Sequence, residues 1–359
     1  MKILFITRST LYKVPGGDTE QITQTAKCLN EIGIETDIRF TNEKINYNNY
    51  DLLHFSNIIR PSDILYHTQK TNKPFVLSPN LVDYSEYDRQ QRKGISGLVF
   101  KLFPADVNEY LKTISRWLLK KDVLRTKSYL KKGHKNSVQK VLEKTSIILA
   151  NSQAERLSLQ KTYSVERPFF IVPNGINTDI FRLNGTLFKD EYLVVCAARI
   201  EGLKNQLNLI KALNDSPYTL LIVGEAAPNQ KNYYKRCKQI AADNIIFTGW
   251  LPQQQLVKLY KKAKVHVLPS WFETCGLSTL EAAAMGCNVV VTDKGYTREY
   301  FGDDAFYCDP SDPQSIRKAV EQASKKESQK KLQTRVFNDY TWKRAANITL
   351  QAYKKIISA

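Results

Sequence analysis

Four charged residues at two places in the chain have the types and spacing to do chemistry. The stretch SWFETCGLSTLEAAAMG, residues 270–286, sets Glu273 and Glu281 on either side of Gly276. Upstream, ARIEGLKNQ sets Arg199 and Lys204 five residues apart, on a loop that runs into a helical pattern. A guanidinium fork and a lysine point charge at the start of a helix suit a pair of phosphates. A carboxylate on a loop at the carboxyl end of a strand lies where open α/β sheets hold their ligands. Each feature also has a plain structural explanation. The two cations could be surface residues, and Ser278 with Glu281 three residues later has the form of a capping box that starts a helix.

The elements that must position these residues follow a regular pattern. In the first half, apolar β-branched runs (KILFIT, ETDIRF, DLLHFS, PFVLS, SIILAN, FFIVP) alternate with helical stretches. After IVPNGINTDIFRLNG, at 171–185, the alternation restarts with YLVVCAA, YTLLIVG, NIIFTG, KVHVLP, NVVVTD and AFYCD. Such alternation predicts parallel sheets with crossover helices, hence two doubly wound α/β domains. Their expected extents are 1–181, with a last helix at 341–359 crossing back, and 182–340, with a cleft between them. The first βα turn, VPGGDTEQ, holds Gly16 and Gly17 at a helix start, where backbone amides can approach an anion or simply turn the chain. It is not GxGxxG, so a dinucleotide site of the usual form is not indicated. Gly224, ending YTLLIVG, permits another close backbone approach.

Composition narrows the function further. With 42% hydrophobic and 25% charged residues, the 359-residue chain is ordinary globular protein of two-domain size. Six cysteines without a CxxC pair, and four histidines, make neither a zinc site nor a disulfide framework and suit a reducing cytoplasm. The opening MKILFIT lacks a secretory signal's longer apolar core, and no run reaches the length that spans a bilayer. The net charge of +18 is concentrated between Arg89 and Lys144, where fifteen Lys or Arg face four acidic residues. Ile95, Leu98, Val99 and Leu102 fall on one helical face there, followed by ISRWLLKK at 114–121. A basic amphipathic segment of this kind either lies on an anionic membrane or packs its apolar stripe on the domain core.

ARIEGLKNQ, VGEAAP, IIFTGWLP and PSWFETCGLSTLEAAAMGCNVV, in this order, resemble the retaining nucleotide-sugar glycosyltransferases of family 4, glycosyl transferases group 1. MKILFIT with PGG, LANS at 149–152, VPNGINTDIF at 172–181 and TWKRAANITLQAYKKI at 341–356 extend the resemblance over most of the chain. It implies the GT-B fold, two Rossmann-like domains facing each other across a cleft. It further implies that Arg199 and Lys204 meet the donor diphosphate, that Glu273 meets hydroxyls of the transferred sugar, and that Glu281 holds the nucleotide ribose. Cys275, Gly276 and Leu277 would lie in the turn touching sugar and phosphate, Trp250 and Leu251 near the base, and Gly16, Gly17 and Gly224 against the donor. No cofactor is implied, the donor being a UDP- or GDP-sugar co-substrate. No metal is implied either, since cations and amides would meet the leaving diphosphate and no DxD-type cluster is evident.

The chain departs from the family where many members carry a histidine, after the fourth strand. Here that region reads PFVLSPNLVDYSEYDRQQRKG. Asn80 is the aligned substitute, while His54 after DLL is either a cleft residue or a packed strand-end histidine. Asp83 and Glu86 belong to a polar cluster that could bind acceptor hydroxyls or be solvated loop. The leading expectation is a cytoplasmic, membrane-peripheral transferase that adds sugar to a glycan or polyprenyl-linked acceptor in bacterial surface polysaccharide synthesis. An epimerase or phosphorylase on the same fold is the alternative. A nucleic-acid-binding protein rests on charge alone and is least favoured.

Overall fold

A computed structural model describes residues 1–91, 97, 100–119, 123–182, 188–328 and 330–358. Ile95, Leu98 and Val99 of the amphipathic stripe, the cations Arg92, Lys93, Lys120 and Lys121, and positions 183–187 of the expected junction lie outside the described residues. The chain divides into two compact units, Met1–Pro173 with Trp342–Ala359, and Asn174–Thr341.

Among the described residues of the first unit, six parallel strands form one sheet: β1 Lys2–Thr7, β2 Glu35–Phe40, β3 Leu52–Ser56, β4 Phe75–Ser78, β5 Ile147–Ala150 and β6 Phe169–Ile171, in the order β2-β1-β3-β4-β5-β6. The second unit has β7 Asp190–Ala197, β8 Thr219–Val223, β9 Ile245–Gly249, β10 Ala263–Leu268, β11 Asn288–Thr292 and β12 Phe306–Cys308, in the order β12-β11-β10-β7-β8-β9. The central strands are largely apolar because helices cover both faces. Every residue of β10 is buried; Val265 and Val267 belong to one core cluster, and Ala263 to the other. The second order is that of the dinucleotide-binding Rossmann sheet, and the first is of the flavodoxin type. In each the winding reverses at one place, between β1 and β3 and between β7 and β10.

The division falls at 173/174 rather than at 181/182. Residues 174–181 fold onto the second unit, with Ile176 and Phe181 buried in its core. Gly175 there meets Thr341 so closely that a Cβ would lie 2.4 Å from the backbone carbon. The final helix, Trp342–Ile357, belongs to the first unit, where its small buried residues Ala345, Ala346, Thr349 and Ala352 permit close packing against the helix Gly17–Glu31. No helix among the described residues is long and apolar enough to cross a membrane.

Candidate functional site

In the second unit, the loops that leave β7 and β10 lie side by side because those strands are hydrogen-bonded neighbours. Both loops emerge at the carboxyl ends of a parallel sheet, at its winding reversal. The first loop carries Arg199 and Lys204, and the second carries Glu273. Lys204 Nζ donates to Glu273 Oε2 at 2.6 Å, and Ser270 Oγ donates to the same oxygen at 3.1 Å. The lysine side chain is 18% exposed and the glutamate 9%. Burial opposes the charged ammonium of Lys204, but the Glu273 carboxylate outweighs it and the lysine pKa is raised. Arg199 is more exposed and pairs with Glu201 at 3.0 Å.

Four residues that the sequence did not single out hold this pair in place. Asn205 adopts the left-handed region (φ 62°), which asparagine tolerates, and turns the chain from Lys204 into the helix Gln206–Leu213. Its buried amide donates to the carbonyls of Pro269, at 3.0 Å, and Pro310, at 2.7 Å, tying the first loop to the end of β10. Gln206 is fully buried and closes the loop on itself, donating to the Arg199 carbonyl and accepting from the Glu201 amide. Ser270 is the third. Gly295, on the loop after β11, is the fourth: the Glu273 and Tyr296 amides donate to the Lys294 and Glu273 carbonyls, so the backbones on either side of it are bridged. The only sequence signals for these were an asparagine beside a lysine and a glycine just past a strand.

The glutamate motif folds differently from its expected local form. The helix Leu277–Ala284 takes Gly276, in the left-handed region (φ 66°), as its N-cap. Ser278 is therefore already inside the helix, and the Ser278–Glu281 capping box does not form. Glu281 sits a turn into the helix and is half-buried. Cys275 is buried, and burial pushes its thiol up to about 12, so it is not a thiolate nucleophile. Leu277 is half-buried, Trp250 is 69% exposed just past β9, and Leu251 packs against the core. Gly224 does serve a close approach, but of the chain's own backbone: a Cβ there would lie 2.1 Å from the Ala198 carbonyl oxygen.

The residues expected on the first unit are spread over three environments. Gly16 caps the helix Gly17–Glu31 in an extended conformation, and its amide donates to Thr19 Oγ1, so that group is already occupied. The turn is closed by Arg8, whose guanidinium meets Asp18 through two bonds, at 2.7 and 3.0 Å, and also donates to the Val14 carbonyl. His54 is a packed strand-end histidine, the second of its two readings. It is 3% exposed, with Nδ1 against the Tyr353 hydroxyl at 2.6 Å and Nε2 against Ser78 Oγ at 2.8 Å, and burial lowers its pKa to about 3. Asn80, at φ 49°, donates to Gln21 Oε1 at 2.7 Å, on the loop that leaves β4. The same loop is anchored by the buried Glu155, which accepts from the Leu81 amide. Asp83 accepts from the Ser85 amide ahead of the helix Ser85–Gln91, whose first turn carries Glu86. Among the described residues there is no group of three or more His, Cys, Asp or Glu placed to hold a metal ion.

With this geometry in view, comparison with known proteins gives a consistent result. Residues 178–338 match the family model described as glycosyl transferases group 1. The chain is 27% identical over 198 residues to a D-inositol 3-phosphate glycosyltransferase of Acidothermus cellulolyticus, a match covering 48% of this chain and 44% of that one. It is 25% identical over 183 residues to the serotype-specific mannosyltransferase WbdA of Escherichia coli, covering 47% of this chain and 22% of the relative. The chain thus spans less than half the length of these curated relatives. Among solved structures, sucrose-phosphate synthase from Thermosynechococcus elongatus has a TM-score of 0.75 at 16% identity, covering 100% of this chain and 99% of that one. Anabaena HepE in complex with UDP-glucose has a TM-score of 0.68 at 16% identity, each chain covered over 100%. At such identities the likeness establishes the fold, which is GT-B.

Proposed function

We propose, on the premise that its second unit belongs to the glycosyl transferases group 1 family, that this chain is a retaining glycosyltransferase. It would move a sugar from a UDP- or GDP-sugar to a hydroxyl of a glycan or polyprenyl-linked glycan, in bacterial surface polysaccharide synthesis. The observation that carries this reading is the meeting of Lys204 and Glu273 at the reversal point of a Rossmann sheet. Breaking the bond between the anomeric carbon and the diphosphate places negative charge on phosphate. Lys204, held protonated by its neighbour, and Arg199 stabilise that charge as it develops. Glu273 orients the sugar through its hydroxyls, and Glu281 holds the nucleotide ribose. Two preorganised cations do the work that a divalent ion does in other sugar transferases, so the reaction needs no metal.

Calorimetry of the purified chain with UDP, GDP, ADP and their sugars, in EDTA, tests the donor half of this proposal. One nucleotide is expected to bind, and Glu281→Ala is expected to weaken it at least tenfold, about 1.4 kcal/mol. Absence of binding by every nucleotide would overturn the assignment.

The acceptor half includes an anionic membrane surface. The described part of the basic segment supports contact of this kind: helix Ala105–Leu118 buries only Asn108, and Leu102, Phe103, Trp117, Leu118, Leu119 and Val123 are exposed among lysines and arginines. Apolar side chains beside cations suit the headgroup boundary of anionic lipid. The protein is expected to cosediment with phosphatidylglycerol vesicles at low salt, and Trp117→Ser with Leu118→Ser to lose most of that binding. Equal sedimentation with neutral vesicles, or none at all, would remove the membrane from the proposal.

A further inference from the structure

Both cations of the site in the second unit are already matched by carboxylates: Arg199 stands against Glu201 at 3.0 Å, and Lys204 against Glu273 at 2.6 Å. A diphosphate that enters must therefore meet two resident anions. The two pairs differ in how firmly they are closed. The Glu273 side chain is 9% exposed and its oxygen also accepts from Ser270, whereas the Arg199 side chain is 42% exposed and that of Glu201 15%. A partly exposed pair is weak and exchanges readily with another anion.

The backbone sets Glu201 in this place. Ile200, between the two charged residues, is fully buried and forms a bridge with Ala226. Its amide donates to the Glu225 carbonyl at 2.8 Å, and its carbonyl accepts from the Ala227 amide at 3.2 Å. In an extended segment fixed this way, the neighbours of the buried residue both point to the other side, which puts Arg199 and Glu201 together. The Glu201 amide donates to Gln206 Oε1 at 3.3 Å, so the segment is held at its far end as well. The second cation also feels Glu201. Burial opposes the charge on Lys204, and the carboxylates of Glu273 and then of Glu201 raise its pKa against that burial.

The planar fork of a guanidinium fits a carboxylate and a phosphate in the same manner, so what Arg199 gives to Glu201 it withholds from a phosphate. We propose that Glu201 is a resident counter-ion that holds Arg199 ready in the empty site and competes with the nucleotide's diphosphate for it. The competition falls hardest on the product, because loss of the sugar leaves the diphosphate with one more ionisable oxygen and hence more negative charge beside the carboxylate. Glu201 thereby favours release of the used nucleotide over loss of the donor. The proposal rests on the assignment of Arg199 and Lys204 to the donor diphosphate.

The test is calorimetric titration of the full chain with UDP, GDP, ADP and their sugar nucleotides, comparing wild type with Glu201→Gln, which keeps the shape and removes the charge. Glu201→Gln is expected to tighten the nucleoside diphosphate that binds by about fivefold, the scale of one partly exposed ion pair, and its sugar nucleotide by less. In an Arg199→Gln background the same substitution is expected to change binding by less than about twofold, because the group competed for is gone. If Glu201 only props Arg199 in place, the reverse holds: Glu201→Gln weakens nucleotide binding and Glu201→Asp restores it. That result overturns the proposal, as does unchanged binding, or an equal gain with and without Arg199. A sugar nucleotide that gains as much as the diphosphate overturns the bias toward product release. When wild type binds a nucleotide and any of these results follows, the role of Glu201 falls alone; when neither wild type nor Glu201→Gln binds any nucleotide, the donor assignment falls with it.

Discussion

Lys204→Ala is expected to lower turnover by roughly 100- to 1,000-fold, the range seen when one preorganised donor to a developing anion is removed. Both kcat and kcat/KM should fall together, because the interaction strengthens as charge moves onto the diphosphate. A purely structural role for the Lys204–Glu273 pair makes a competing prediction, and the geometry allows the two to be separated. Removing one member of a buried ion pair leaves the other uncompensated, at a cost of up to about 3–5 kcal/mol. Glu273 is 9% exposed, so Lys204→Ala should lower thermal stability as well as turnover. Glu273→Gln with Lys204→Ala removes both charges and is expected to recover much of that stability. It should recover none of the turnover. If the double variant regains turnover with stability, the pair is scaffolding, and the site must be sought elsewhere.

How much of this was legible in the sequence depended on how local each cause is. Strand runs such as KVHVLP announce themselves because a strand buried on both faces is mostly apolar, and β10 is buried along its whole length, even at Lys264 and His266. Arg199, Lys204 and Glu273 could be picked out because each follows such a run directly. Their side-chain contact was not legible, since it depends on β7 pairing with β10 across two intervening strands. The capping box failed for a local reason. Gly276 is free to take a left-handed conformation and capped the helix two residues before the serine that looked like a cap. His54 was left with two readings for a remote reason, because the hydroxyl that packs it in place belongs to Tyr353, 299 residues away. The unit boundary slipped because residues 174–181 look like a linker, while Ile176 and Phe181 are core residues of the second unit.

Gly295→Ala is the second large effect expected, and it acts on catalysis without touching a charged group. Gly295 has φ 91°, and a Cβ there would lie 2.1 Å from the carbonyl oxygen of Glu273 and 3.0 Å from its carbon and nitrogen. No rotamer relieves such a contact, because the three nearest atoms are all backbone; one of the two loops has to move. The Glu273 amide donates to Lys294 and the Tyr296 amide to Glu273, so movement breaks the bridge that fixes the carboxylate opposite Lys204. Misplacing a catalytic group by about 1 Å can cost on the order of 100-fold in rate. Gly33→Ala supplies the control. It has φ 83° but no atom within 4 Å of its would-be Cβ, and it belongs to the first unit rather than to either of these loops. Left-handed strain alone, about 1–2 kcal/mol, is expected there, with turnover unchanged. Gly295→Ala should exceed that loss of stability and also lower turnover at temperatures where the protein remains folded. Equal melting shifts in the two variants would mean that the loop after β11 yields freely, and Glu273 would then need another anchor to stay opposite Lys204.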